Sequence, residues 1–387
     1  MLNIHLPTPE GIIADYRLVT TEERAIAISP AFNRIAYAAA HVVIDPQHQG
    51  ADWLKNPRVD WDSTLAYRHH LWRLGFNIAE AMDTAQRGMG ISWDIARELI
   101  VRTLQEAKTV PGADLAAGVG TDQLEAAEAT TLAQVIAAYE EQMELVEKHN
   151  GKIILMASRA LAKAAKTPQD YLAVYNRLLE QSKDKIILHW LGDMFDPALT
   201  GYWGSTEFET AADTVLEIIS NNIDKVEGIK ISLLSKEKEI DFRKRLPSQV
   251  KMFTGDDFNY PELIEGEDGY YSHALLGIFD AIAPVAAAAL NELAQGNKSE
   301  YYRLMNPTVP LSREIFKAPT QYYKAGIVFL AWLNGHQQHF TMAGGMQAAR
   351  EISHYAEIFR LADQAGLLQN PQLATQRMQS LLKLYGL

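Results

Sequence analysis

The chain contains no cysteine. Disulfides are therefore excluded, and so are zinc and iron–sulfur sites built on thiolates. Positive charge is also scarce: 36 Lys and Arg stand against 48 Asp and Glu, a net charge of −12. That balance argues against a nucleic-acid partner and against binding to an anionic membrane surface. Long hydrophobic runs are missing. The longest, near Ala281 to Leu290, falls well short of the roughly 20 residues that span a bilayer. Met1 to Arg24 has Asp and Glu scattered through it and no apolar stretch of the signal-peptide kind. The expectation is a cytoplasmic protein with no membrane partner. Gly118-Val119-Gly120 and Gly344-Gly345 lack the spacing of a dinucleotide or phosphate-loop fingerprint. No internal repeat or low-complexity tract breaks the chain.

What is present is enough apolar material for a large core: 48% of 387 residues. The organising stretch is Val226-Glu227-Gly228-Ile229-Lys230-Ile231-Ser232-Leu233-Leu234. β-Branched and apolar residues bounded by a charged run read as a strand. Side chains alternate along a strand, so Ile229, Ile231 and Leu233 share one face and Gly228, Lys230 and Ser232 the other. In a closed parallel barrel the first face packs under helices and the second points inward. A lone ammonium there is costly, and burial lowers its pKa. An amine that is partly neutral attacks carbonyl carbon and forms a Schiff base. The alternative is an edge-strand lysine that snorkels to water.

The rest of the chain supplies the context. The stretch from Ile4 to Arg24 reads as a cap or hairpin. Seven more strands are expected at Arg34–Val43, Phe76–Met82, Ala113–Gly120, Lys152–Ser158, Lys185–Leu191, Val250–Thr254 and Tyr271–Phe279. A polar loop separates Asp45 from Asp60. Helices are expected from an Asp62 cap to Arg73, after a Ser92 cap, over Thr130–Lys148, from Thr167-Pro168 to Gln181, over Thr210–Asn221 and over Lys236–Arg245. Eight strands alternating with helices imply parallel pairing and closure into a (β/α)8 TIM barrel, an α/β fold. From Asp280 onward the pattern is helical. The division expected is a barrel with an N-terminal cap over 1–290 and a C-terminal helical extension over 291–387.

In such barrels chemistry sits at the C-terminal ends of the strands. That rule selects Glu80, Asp83 and Thr84 after the second strand, and Ser158 with Arg159 after the fourth. It also selects His189 and Asp193 at the fifth, Lys230 and Ser232 at the sixth, and Asp256 with Asp257 at the seventh. Tyr37 has the parity to face inward. His189 is suited to carry protons beside an imine; the alternative is a satisfied core histidine. Glu80 and Asp83 could hold a substrate hydroxyl or cap a helix. Asp256 and Asp257 are expected to split, one structuring the turn and one facing the pocket. Trp190, Tyr202 and Trp203 could wall a polar pocket or merely pack. His69 and His70 point to different sides of a helix. His336 and His339, three apart, are read as one helical face at the surface or an interface.

Gly228-Ile229-Lys230-Ile231-Ser232 and Thr254-Gly255-Asp256-Asp257 resemble two strand ends of the dihydrodipicolinate synthase and N-acetylneuraminate lyase superfamily. Its members are class I aldolases on (β/α)8 barrels. Ala117-Gly118-Val119-Gly120 resembles the third strand end, and Ala283-Pro284 resembles the Asn-x-x-Pro region after the eighth. The likeness covers roughly residues 30 to 290 by strand order. A branch without assigned function looks closest, with Glu80-Ala-Met-Asp-Thr-Ala-Gln-Arg-Gly88 and Gly192-Asp-Met-Phe-Asp-Pro197. The resemblance implies an imine between Lys230 and a 2-oxo acid or sugar-acid-like substrate, no cofactor, and a homo-oligomer.

Two departures stand out. The family's second strand ends in Gly-Thr-Thr-Gly-Glu, whose hydroxyls and amides hold the substrate carboxylate; here the place reads Ala81-Met82-Asp83-Thr84-Ala85-Gln86. The proton-relaying Tyr of the fifth strand is replaced by Leu188-His189-Trp190, so His189, Tyr37 or Tyr202 must supply that function or it is lost. The leading expectation is a Schiff-base lyase or aldolase. Lys230 and His189 are its catalytic residues, and Glu80, Asp83, Thr84, Tyr37, Ser232 and Asp256 bind a small polyhydroxylated acid or 2-oxo acid, with no metal. The alternatives are a metal-assisted barrel enzyme using Glu80, Asp193 and Asp256, and a non-catalytic metabolite-binding barrel.

Overall fold

β-Branched and apolar residues with period-two patterning form ten strands among the described residues. These are β1 (Asn3–Pro7), β2 (Ile13–Arg17), β3 (Ala36–Ala39), β4 (Asn77–Glu80), β5 (Leu115–Val119), β6 (Lys152–Leu155), β7 (Ile186–Leu191), β8 (Val226–Ser232), β9 (Lys251–Thr254) and β10 (His273–Leu276). The computed structural model describes residues 2–20, 22, 30–47, 50, 52–54, 56–129 and 131–387. Strands β1 and β2 form an antiparallel hairpin. Strands β3 to β10 pair in parallel in chain order, and β10 closes on β3 to complete an eight-stranded barrel. Each barrel strand lies within one of the eight stretches expected from the sequence.

Strand parity divides the apolar residues into two sets. Tyr37, Ala79, Ala116, Ile154, Ile187, Phe253 and Leu275 pack on one another inside the ring. Tyr37 and Phe253 meet edge to face at 6.0 Å between ring centres. The intervening residues, among them Ile78, Leu115, Leu188, Ile229 and Ile231, join the main core beneath the helices. The inside of the barrel is thus a packed layer, closed below the site, as the fold requires.

Helix starts follow local chemistry. The helix Trp61–Arg73 is capped by Asp60, whose carboxylate accepts from the Ser63 N–H at 3.0 Å. Asp62, the expected cap, lies instead in the first turn, where an acidic side chain favours the helix dipole. Ser92 stands at the N-cap of Trp93–Ala107. Thr131 and Gln134 form a capping box before Leu132–Lys148. Thr130, where that helix was expected to begin, lies outside the described residues. So do residues 21 and 23–29 of the N-terminal stretch and residues 48, 49, 51 and 55 of the Asp45–Asp60 loop.

After β10 the chain runs through six α-helices: Ile278–Ala294, Lys298–Met305, Thr308–Ile315, Lys324–Leu333, Ile352–Gln364 and Pro371–Leu384. The N-terminal hairpin is tied to this tail. Asp363 accepts from the Val19 N–H at 2.7 Å, the Thr20 N–H at 2.9 Å and the Tyr16 hydroxyl at 2.8 Å. His336 lies in the turn after Lys324–Leu333, so it shares no helical face with His339. Its ring packs 4.5 Å from His70 and 4.9 Å from Tyr67, a contact inside the fold and not an exposed surface. Burial there pushes its pKa down to about 3. Among the described residues no helix is long and apolar enough to cross a membrane.

Candidate active site

Lys230 is the fifth residue of β8 and points into the barrel, only 7% exposed. Glycines make room for it. A β-carbon on Gly255 would stand 2.7 Å from Lys230 Cε and 2.2 Å from Ser232 Oγ, and one on Gly228 would stand 2.7 Å from the Phe253 ring. Burial lowers the Lys230 pKa, and the Asp83 and Asp257 carboxylates oppose that shift. Neither carboxylate forms an ion pair with it among the described residues, so the nitrogen is held at reach but not locked.

His189 on β7 is the register partner of Lys230. It is buried, with Nε2 3.3 Å from Ser232 Oγ. Burial, reinforced by the Lys230 charge, holds the imidazole well below its ordinary pKa, so it is neutral at pH 7. Its Nδ1 is buried without a hydrogen-bond partner.

A cavity of about 400 Å³ opens at the C-terminal ends of β4 to β7. Asp83, Met156, Ser158, Arg159, His189 and Lys324 line it. Lys230 does not itself line it but lies beside the lining residue His189, its register partner on β7. Thr84 stands next to Asp83, and its hydroxyl is hydrogen-bonded at 2.8 Å to Tyr323. Ser158 caps the helix Arg159–Ala164 and bonds Thr121 Oγ1 at 2.5 Å.

Three expected binding residues are placed elsewhere. Glu80 has the opposite parity from inward-facing Ala79. Its carboxylate is buried behind the barrel wall, in a two-point ion pair with Arg68 at 2.9 and 2.8 Å and accepting from Thr103 at 2.7 Å. Tyr37 does face inward, but its phenol interacts with Asn77, Asp114 and Glu227 near the starts of the strands, away from the cavity. Asp256 is the turn-forming member of its pair: it accepts from the Phe258 N–H at 2.8 Å and the Asn259 N–H at 3.0 Å. Asp257 is the one whose charge reaches Lys230. Burial pushes it up to about 7, against the Ile278 N–H bond and the Lys230 charge. Asp256, chosen for substrate, is thus the residue that structures the turn, and Asp257 acts on Lys230 without lining the cavity itself.

Trp190 within β7, and Tyr202 and Trp203 after it, pack as core and do not wall the cavity, although Phe195 from the same loop does line it. Trp190 stacks on Phe208 at 5.6 Å, and Tyr202 and Trp203 nest against Tyr171 and Tyr175. Tyr202 still supports the site indirectly, because its hydroxyl accepts from the Ser158 N–H at 3.0 Å. Of the carboxylates considered for a metal, Glu80 is bound to Arg68, Asp193 is exposed and Asp256 closes its own turn. Among the described residues no group of three or more His, Cys, Asp or Glu is arranged to hold a metal ion.

Sequence reasoning missed Arg87, Tyr323 and Lys324. Arg87 forms a two-point ion pair with Asp122 at 3.0 and 2.6 Å and donates to the Gly118 carbonyl at 2.5 Å, bracing the third strand end. Lys324 carried the same signal as Lys230, a lysine at the edge of the apolar run Ala325–Leu333, but lay far from any strand.

The fold has many solved counterparts. Dihydrodipicolinate synthase from Thermotoga maritima superposes with a TM-score of 0.63 at 15% identity, covering 87% of this chain and 100% of that one. The 4-hydroxy-tetrahydrodipicolinate synthase from Methylacidiphilum fumariolicum SolV gives 0.62 at 13%, covering 90% and 99%. Dihydrodipicolinate synthase from Aquifex aeolicus gives 0.60 at 11%, covering 92% and 98%. At these identities the likeness is one of fold. No curated protein matches the sequence. The model of the DUF993 family, described as a protein of unknown function, matches residues 4–387, and the chain belongs to that family.

Proposed function

We propose that the protein is a Schiff-base-forming lyase or aldolase that acts through Lys230 on a small 2-oxo acid or sugar-acid-like substrate. One observation carries this reading: a buried, inward-pointing lysine with a lowered pKa and no ion pair among the described residues adjoins a polar cavity at the barrel mouth. The low-identity fold likeness to dihydrodipicolinate synthases is consistent with it.

In this mechanism the lone pair of the Lys230 amine attacks the keto carbon. The carbonyl oxygen takes up protons and leaves as water, and a protonated imine remains. Asp257, held near neutrality, supplies and recovers the protons of this dehydration. The positive imine nitrogen then draws in the electron pair of the carbon–carbon bond one atom away. That bond breaks to give an enamine, and the neighbouring hydroxyl loses its proton to become an aldehyde. His189, neutral and with a free Nδ1, accepts that proton and returns one to the enamine carbon. Hydrolysis of the imine restores the amine and releases the keto product. Asp83 orients substrate hydroxyls, and Ser232 holds the His189 ring.

The test is borohydride reduction in the presence of pyruvate and other 2-oxo acids, with the adduct mapped by mass spectrometry. A single adduct on Lys230, lost in Lys230→Ala, is expected. No adduct on the wild type, or an equal one on the variant, rules the mechanism out.

A further inference from the structure

Three cations line the cavity: Arg87, Arg159 and Lys324. Two are already neutralised. Arg87 is paired with Asp122 at 2.6 Å, and Arg159 with Asp196 at 2.6 Å. Lys324 has no such partner among the described residues. Its Nζ donates to the Gln321 carbonyl at 3.0 Å and lies 3.5 Å from Met89 Sδ, a weak acceptor. Its charge also sits over the Tyr323 ring, 4.7 Å from the ring centre, but none of these contacts supplies a negative charge. The side chain is only 5% exposed, and a buried charge held this loosely is costly to the fold.

Two neutral hydroxyls nearby are engaged. The Thr84 hydroxyl is bonded to Tyr323, and the Ser158 hydroxyl is bonded to Thr121 and accepts from the Leu161 N–H. We propose that Lys324, brought to the barrel mouth by the C-terminal helical tail, receives the carboxylate of the keto substrate and so selects keto acids over neutral ketones. This rests on the Schiff-base reading of Lys230.

The charge count favours a single negative charge. Asp83, Asp122, Glu125 and Asp196 also line the cavity. With three lining cations against four carboxylates the wall is net negative, so a dianion such as a phosphate ester meets more repulsion than a monoanion, and a single carboxylate is accommodated only beside Lys324, the lining cation with no ion pair among the described residues. The tail is then part of the site and not an appendage, since its helix Lys324–Leu333 begins at this residue.

The experiment compares wild type, Lys324→Met and Lys324→Arg in borohydride labelling of Lys230 with pyruvate and with hydroxyacetone, which has a ketone but no carboxylate. Losing a charge-assisted hydrogen bond predicts that Lys324→Met needs about 10- to 100-fold more pyruvate for half-maximal labelling. Labelling by hydroxyacetone is expected to stay unchanged, and Lys324→Arg to recover part of the pyruvate response. Removing an underused buried charge should also raise the melting temperature, which separates lost binding from lost folding. Equal pyruvate response in wild type and Lys324→Met overturns the proposal. If neither ketone labels Lys230, the Schiff-base reading has failed, and Lys324 is then judged alone by calorimetry with lactate. Binding to wild type that disappears in Lys324→Met supports the carboxylate site; no binding, or equal binding, overturns it.

Discussion

His189 and Lys230 are register partners on neighbouring parallel strands, and both point into the barrel. Two groups that compete for one proton in a buried site cannot both be charged cheaply, and the imidazole is the one held neutral. Under the proposed Schiff-base mechanism the amine is the nucleophile and the imidazole the proton carrier. His189→Phe should still form the borohydride-trapped adduct on Lys230, because the nucleophile is untouched. Turnover of a cleavable substrate should fall by roughly 10²- to 10⁴-fold. Parallel trapping and single-turnover measurements check this; equal loss of both would show that His189 shapes the fold of the site instead.

The pH dependence of labelling has a defined sign. Burial lowers the Lys230 pKa, so its neutral form appears at lower pH than for a solvent-exposed lysine. The labelling rate should rise with pH as the amine loses its proton and fall again where Asp257, the proposed acid, with a pKa of about 7, is no longer protonated. Asp257 opposes the shift. In Asp257→Asn the lysine loses that support for its charged form, and the rising limb should move to lower pH. A limb unmoved or displaced upward in a pH series of trapping rates would contradict the assigned contact.

Gly255 is required by close approach and not by an unusual backbone angle. The added methyl of Gly255→Ala meets the Ser232 hydroxyl at 2.2 Å, the Lys230 side chain at 2.7 Å and the Ile231 carbonyl at 2.8 Å. The carbonyl is backbone and cannot swing aside. A loss of about 1–3 kcal/mol is expected from overpacking, together with reduced labelling of Lys230 as the lysine is displaced. Chemical denaturation and labelling on the same preparation test both effects.

The Arg68–Glu80 pair is a structural ion pair behind the barrel wall, with both side chains fully buried. Arg68→Met leaves the Glu80 carboxylate without its main partner and should cost about 3–5 kcal/mol. The double variant Arg68→Met with Glu80→Met should recover much of that loss, since no unpaired charge is left. Urea denaturation of the two variants decides it. A Glu80 that bound substrate would instead show its largest effect on labelling.

Much of the fold was legible because it depends on local periodicity. Period-two apolar stretches alternating with helical ones specify eight parallel strands, and the same alternation places Lys230 inward. Parity also decided against Glu80, but only once the phase of β4 was known. Its inward set is fixed by register with β3 and β5, where Ala79 and not Glu80 meets the interior. Asp256 and Asp257 are chemically identical neighbours, so nothing local distinguishes them. The Phe258 and Asn259 N–H groups claim one, and the Lys230 charge reaches the other.

By itself, then, the sequence determined the barrel and the lysine at its mouth, because side-chain direction within a strand follows from chain geometry. Which carboxylate faces that lysine, which aromatics merely pack, and the arrival of Tyr323 and Lys324 from the C-terminal tail were decided by tertiary structure. Those depend on what long-range packing brings opposite each residue, and two groups more than 90 positions apart in the chain carry no mark of becoming neighbours.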